Sequence, residues 1–274
     1  MRFEMKINAQ TPKNSLNIGF LKQRPLRSEI ETFKDTLKTL LSKVENHESE
    51  ENKKNHVRDF LLDTYYKGSN EVNTKDRKDL VIHLGKTNAD KVGVIIEAKT
   101  PQSPDMVRRE KLNTKAFHEL VLYYFDERIG QNNSELKNLV VTNIYEWFIF
   151  DANVFDKQIY RNTQIKKLYE TYKSDKKDNP FFYEELRKIL DGSNETLDCV
   201  YFDLREYQTV LNNDDLTDDK NLIELQKILS PYHLLKQPFA DDSNALNKDF
   251  YNELLHIIGL EEVKEKSKSI IYKY

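Results

Sequence analysis

Apolar side chains recur every three or four residues from Ile30 onward, through Phe33, Leu37, Leu40, Leu41 and Val44. That spacing predicts one buried face of a helix. Ser28, with Glu31 three residues on, has the form of a capping box and sets the expected start. A second stripe, Val57, Phe60, Leu61 and Tyr65, follows a possible cap at Ser49 and stops at Gly68. The period then changes to two. The β-branched run from Asp79 to Gly85 and the run from Val92 to Thr100 bracket the polar turn Lys86–Asp90, which predicts a β-hairpin closed by Pro101 and Pro104. An amphipathic helix is expected from about Arg108 to Ile129, with Leu112, Ala116, Leu120 and Tyr123 on one face. Two strands, Leu136–Thr142 and Tyr145–Phe150, come next.

Beyond residue 160 the pattern is mostly helical, over 163–173, 181–190, 217–229 and 246–258, interrupted by a strand-like run from Asp198 to Leu204. Residues 1–27 are polar and basic and contain Pro12 and Pro25, so they read as an arm or an edge element. This order predicts an α/β fold, a mixed central sheet flanked by helices with a helical C-terminal extension. It divides the chain into a basic N-terminal arm (1–27), a core (28–160) and a mostly helical extension or connector (161–274). There is no internal repeat. The last apolar helix runs into a Lys/Glu-rich tail without a stop signal, so the chain is expected to be the front portion of a longer polypeptide.

Composition narrows the chemistry. The 274 residues are 38% hydrophobic and 32% charged, with 14 Phe and 15 Tyr, which is enough apolar bulk for a folded core. The seven glycines are never closer than eight positions, which excludes a glycine-rich dinucleotide fingerprint and a P-loop. Cys199 is the only cysteine, so no internal disulfide or multi-cysteine zinc site exists. His118-Glu119 begins a zinc-binding helical motif, but Leu122 stands where the second His belongs. No apolar run approaches the ~18 residues of a membrane span, and no signal peptide follows Met1. The expectation is a soluble, cytoplasmic protein without a membrane partner. The net charge of -3 hides segregation: residues 1–28 carry six Lys/Arg against one acid, whereas 203–220 carry six acids against two bases. A basic surface is therefore compatible with a mildly acidic chain.

The hairpin concentrates the candidate chemistry. With its loop centred near Asn88, paired residue numbers sum to about 176. Asp79 then faces Glu97, and Lys99 lies two residues on, on the same side of the sheet. Opposed carboxylates repel, and a divalent cation removes that cost by taking oxygens from both. A neighbouring lysine then positions a water, a constellation suited to metal-assisted attack on a phosphodiester. Acid-x-Lys by itself is weak, since it occurs eight times, but only Glu97-Ala98-Lys99 ends an apolar strand whose partner begins with Asp. The competing reading is a cross-strand salt bridge at a sheet edge.

Asp79 followed by Glu97-Ala98-Lys99, with a helix before and after, resembles the PD-(D/E)XK nuclease superfamily and its restriction-endonuclease-like fold. The strings VRDFLLDTYY (57–66), DLVIHLG (79–85), VGVIIEAKTP (92–101), LNTKAFHELVLYYFDER (112–128), LVVTNIYEWFIFDA (139–152) and NKDFYNELLHIIGLEE (247–262) are similar to the N-terminal nuclease region of fused type IIG restriction endonuclease–methyltransferases. The resemblance implies a Mg2+-dependent endonuclease acting on double-stranded DNA, with Mn2+ as a substitute. It assigns metal binding to Asp79, Glu97 and the carbonyl of Ala98, and places Lys99 beside the attacking water. It also implies downstream methyltransferase and target-recognition domains in a longer chain, and S-adenosylmethionine only with such a methyltransferase. Lys78 stands where the superfamily has Pro. A third acid on the preceding helix is expected at Glu51 or Asp59, and Glu119 with Tyr123 stands in place of the usual Gln-x-x-x-Tyr.

Other features carry less. Asn179-Pro-Phe-Phe182 lacks the second Pro of an adenine-methyltransferase tetrapeptide and reads as a helix start, with Asn179 as cap. Tyr145 and Trp147, on an alternating strand, offer rings that could stack on a base, but core packing is the expectation for both. Lys99, Arg108, Arg109, Lys111 and Lys115 lie where phosphate contacts are needed, or on a solvated helix turn. A non-catalytic DNA-docking or assembly module, or a helical interaction protein with a structural hairpin, are the alternative functions.

Overall fold

A computed structural model describes residues 4–44, 49–76, 78–212, 219–239, 248–265 and 268–273. The chain forms two compact units, one of residues 4–16 and 24–237, the other of 17–23 with the described residues from 238 onward.

The larger unit is built in the order β1 (Lys6–Gln10), α1 (Arg27–Lys43), α2 (Glu50–Leu61), β2 (Val72–Lys75), β3 (Lys78–His83), β4 (Val92–Ala98), α3 (Lys115–Phe125), β5 (Asn138–Thr142), β6 (Glu146–Asp151), α4 (Thr163–Ser174), α5 (Asn179–Asp191), β7 (Thr196–Asp203) and α6 (Asp219–Ile228), with short helical turns between them. One seven-stranded sheet runs β1-β7-β6-β5-β4-β3-β2. It is mixed: β1 with β7 and β4 with β5 are parallel, and the other pairs are antiparallel. The expected α/β architecture, a mixed sheet flanked by helices, is therefore the one observed.

The hairpin register follows from its turn. Leu80 pairs with Ile96, Val81 with Ile95 and Ile82 with Val94, each summing to 176; a bulge then shifts His83 onto Val92. All seven residues of β4 are buried, as expected of a strand covered on both faces. Val81, Ile95, Leu139, Val141, Phe148 and Phe150 share the core that α3 fills with Phe117, Leu120, Val121 and Tyr124. The alternate residues Leu80, Ile82, Val94, Ile96 and Val140 are equally buried. Gly93 is small because the Leu84 and Leu235 side chains pack where a Cβ would stand, at 2.8 and 2.6 Å. Trp147 is fully buried and its Nε1–H donates to the Ile144 carbonyl at 2.8 Å, which makes it a core residue.

Several boundaries differ from the sequence pattern. The first helix begins at Arg27, where the Glu29 carboxylate accepts from the Leu26 N–H at 2.7 Å, rather than at a Ser28 cap. Ser49 does cap α2, accepting from Asn52 N–H. Helix α3 starts only at Lys115, because residues 101–114 form turns and an isolated bridge between Arg108 and Lys111. Asp178, not Asn179, caps α5 by accepting from the Phe181 N–H at 3.0 Å. The basic segment 1–27 contributes β1 to one edge of the sheet, and the segment after 160 contributes β7.

In the smaller unit, Asn17 caps a short helix, Ile18–Lys22, and Phe20 packs its ring 4.9 Å from Phe239. Helix α7 (Lys248–Ile257) is followed by an antiparallel pair, β8 (Leu260–Glu265) and β9 (Lys268–Lys273). The charge-rich tail therefore ends in strands. The expected helix starts at 217–218 and 246–247 lie outside the described residues.

Candidate active site

Extending the β3–β4 register by one residue sets Asp79 against Glu97, at the end of the hairpin away from its turn. Alternation then puts Glu97 and Lys99 on the face that α3 covers. Asp79 Oδ2 accepts the Ala98 N–H at 3.0 Å, replacing a ladder bond and tying the carboxylate to β4. Glu97 Oε1 lies 2.5 Å from Lys99 Nζ. The same ammonium is 2.7 Å from Glu119 Oε2, supplied by α3. Asp79 Oδ1 is 3.1 Å from Lys54 Nζ, and Lys54 is 2.7 Å from Glu51 Oε2, both supplied by α2.

The expected triad of Asp79, Glu97 and Lys99 is thus gathered at one strand end, and two further side chains join it. Glu119 stood among the candidates; Lys54 did not. Only the tertiary contact of α2 with β3 and β4 brings Lys54 near. Its i,i+3 partner Glu51 comes with it, although the Glu51 side chain stays 63% exposed. Asp59 is held by its neighbour Arg58 at 3.0 Å and lines a different pocket with Thr36, His56 and Asp63. Of the expected phosphate-contacting cations, Lys115 approaches Glu119 at 3.8 Å, whereas Arg109 stacks over Tyr201 at 5.2 Å.

Burial governs the electrostatics. Burial first, and then the Asp79 charge, hold the Glu97 carboxyl well above the usual carboxylate range, with Lys99 opposing. Burial pulls the Lys99 pKa down, but Glu97 and Glu119 together outweigh it and hold the side chain as a cation. Burial followed by the fields of Glu97 and Glu119 raises the Tyr123 phenol, so this hydroxyl keeps its proton. Three carboxyl groups, of Asp79, Glu97 and Glu119, meet two ammoniums, Lys54 and Lys99.

Glu97 Oε2 is buried and receives no hydrogen bond from an N–H donor; its carboxyl instead meets that of Glu119, and this contact with a second acid raises the Glu97 pKa further. The Ala98 carbonyl leaves the strand on the same edge as its N–H, which is the edge of Asp79. Among the described residues no group of three or more His, Cys, Asp or Glu side chains is disposed to hold a metal ion. Two carboxylates and one backbone carbonyl remain as hard oxygen donors. That set fits Mg2+, which keeps several waters and takes few protein oxygens.

A family model described as a domain of unknown function, DUF7149, matches residues 10–242 and so contains the whole constellation. The chain belongs to the DUF7149 family. A second model with the same kind of description, DUF7814, matches residues 243–274 of this DUF7149 protein. No curated protein and no solved structure matches it. Among the described residues no helix is long and apolar enough to cross a membrane.

Proposed function

We propose that this DUF7149 chain is a metal-dependent endonuclease domain hydrolysing phosphodiester bonds of double-stranded DNA, in the manner of the PD-(D/E)XK nucleases it resembles. The observation that carries the reading is the buried Glu97 carboxyl, opposite Asp79 in the strand register, hydrogen-bonded to a second acid, Glu119, and 2.5 Å from the Lys99 cation. Buried acidic groups crowded together, as Glu97 is with Asp79 and Glu119, are stabilised in their ionised form by a shared hard cation.

Asp79, Glu97 and the Ala98 carbonyl would hold Mg2+, or Mn2+ in its place. Bound there, the ion supplies Lewis acidity toward a phosphate oxygen and lowers the pKa of a coordinated water. Lys99 orients the attacking water and offsets charge that develops on the phosphoryl oxygens. Glu119 holds Lys99 from the helix side and fixes the direction of its ammonium. The water oxygen bonds to phosphorus and gives up a proton to solvent, the bond to the 3′ oxygen breaks in line, and that oxygen takes a proton from solvent and leaves as a hydroxyl. Type IIG membership, with downstream methyltransferase and target-recognition domains and a cytoplasmic setting, extends the same reading.

A non-catalytic DNA-docking module has one observation in its favour. Asp79 and Glu97 each already bear a lysine, Lys54 and Lys99, so the charges are partly neutralised within the protein. Cleavage of plasmid DNA in Mg2+ or Mn2+ separates the two. Hydrolysis by the wild-type chain that falls about 10²–10³-fold or more in Glu97→Gln and Lys99→Met, with unchanged circular dichroism, supports the nuclease. Undiminished cutting by both variants overturns it; DNA binding without cutting favours the docking module.

A further inference from the structure

Beside the acid cluster lies a second cleft, of about 490 Å3, whose walls include Lys78, Tyr123, Tyr172, Lys173, Lys176 and Lys177. Four ammoniums line it against two carboxylates, Asp76 and Asp126. Two of the four are committed. Lys78 Nζ is buried against Glu127 Oε1 at 3.1 Å, and Lys173 Nζ sits 2.6 Å from Asp126 Oδ1. Lys176 and Lys177 are exposed, and among the described residues neither is ion-paired. The positive excess of the cleft therefore resides in these two side chains.

Their placement is structural. Helix α4 ends at Ser174, and the Lys177 N–H closes it by donating to the Tyr172 carbonyl at 3.1 Å. Lys176 takes the left-handed conformation at φ 51°, a state that costs a non-glycine residue about 1 kcal/mol or more. Asp178 then caps α5 directly. A turn pinned between two helices places both residues at the rim, with Lys177 Nζ 5.6 Å from the centre of the Phe181 ring, a contact that leaves its charge unneutralised. Lysines within the last helical turn answer the helix dipole, which accounts for Lys173 but not for residues past the helix end.

The cleft shares a wall with the candidate active site. Tyr123 lines it, and the same phenol lies in the field of Glu97 and Glu119. The larger groove on the Glu119 side, about 1060 Å3, is lined by five acidic and three basic side chains and repels a polyanion. Of these two flanks, the lysine cleft is the cationic one.

We propose that the lysine cleft at the α4–α5 turn binds the phosphate backbone of the DNA and sets the side from which the strand reaches Glu97. The proposal rests on the nucleic-acid reading above and assigns to Lys176 and Lys177 contacts with phosphates away from the one that is cleaved. Such contacts position a strand without reading its sequence.

The test is fluorescence anisotropy of a short labelled duplex in EDTA, across a range of salt, with the wild-type chain, K176E/K177E and the control K86E/K91E. The control lysines lie at the turn joining β3 and β4, at the other end of the strands from Asp79 and Glu97. The expected result is binding at least about tenfold weaker for K176E/K177E, with a log–log salt slope lower by about two, and no change for K86E/K91E. Equal affinity and slope for K176E/K177E, an equal loss in the control, or no binding by the wild-type chain overturns the proposal. Cleavage in Mg2+ is scored separately. Selective loss of binding by K176E/K177E when the wild-type chain cuts nothing sustains the cleft and removes the nuclease; wild-type cutting with unchanged K176E/K177E binding does the reverse.

Discussion

Lys78 Nζ lies 3.1 Å from Glu127 Oε1, with the two side chains 3% and 1% exposed. This buried ion pair joins the residue before Asp79 to the turn that continues α3, and Asn133 Nδ2 donates to the second Glu127 oxygen at 3.0 Å. Removing Glu127 leaves the buried Lys78 ammonium with only the longer contact to Asp76 Oδ2, at 3.5 Å. Glu127→Gln is expected to cost about 3–5 kcal/mol in urea unfolding, and Lys78→Met combined with Glu127→Leu to recover most of that loss. A double variant no more stable than the single one would show that the pair is needed for packing.

Glu97 is expected to destabilise the fold at neutral pH. Its folded pKa stands above the unfolded value of 4.5, so between the two the native state holds the proton more tightly. The stability this contributes is present below pH 4.5 and is lost as pH rises through the folded pKa. Glu97→Gln should therefore melt higher than the wild-type chain at pH 7 and show a flatter stability profile above pH 4.5, read by thermal denaturation in EDTA.

Divalent metal should reverse that ranking. A ligand that binds only the native state at about 100 times its Kd stabilises it by about 2.7 kcal/mol. Saturating Mg2+ or Mn2+ is expected to raise the Tm of the wild-type chain and leave Glu97→Gln unmoved. Equal shifts in both proteins would place any bound ion elsewhere.

Lys54 competes with such an ion for Asp79, since its ammonium lies 3.1 Å from Oδ1. Lys54→Met removes that charge and should tighten Mn2+ binding, measured by calorimetry, by at least roughly tenfold, the equivalent of about 1.4 kcal/mol, which is what so close a pair is worth even at the dielectric of water. Weaker binding would mean that Lys54 holds Asp79 in its binding position.

His118 supplies an acid sensitivity of its own. Burial, and then the nearby Arg187 charge, push its imidazole down to about 4 from the ordinary 6.5, with Glu119 and Asp191 opposing. Its neutral ring donates from Nε2 to Asn113 Oδ1 at 2.6 Å. Because the unfolded chain binds the proton more tightly, the associated stability is complete above pH 6.5 and is lost as pH falls toward 4. The gap corresponds to roughly 3 kcal/mol. Urea midpoints at pH 7 and pH 5 should differ less in His118→Gln than in the wild-type chain.

The sequence by itself determined the hairpin, its register and the parity that sets Asp79, Glu97 and Lys99 on one side. The reason is local: strand side chains alternate with a period of two, and the turn length fixes which residues face each other. It also indicated the mixed sheet with flanking helices, because each element shows its own period. Tertiary structure alone decided what completes the cluster. Lys54 is one polar residue on a polar helix until α2 packs beside β3, and Asp59, five positions on, points elsewhere. The pairing of β1 with β7 joins Lys6 to Thr196, and the lysine cleft joins Lys78 to Lys177. Contacts across such distances leave no periodic trace in the chain, since they depend on how finished elements stack rather than on the spacing within any one of them.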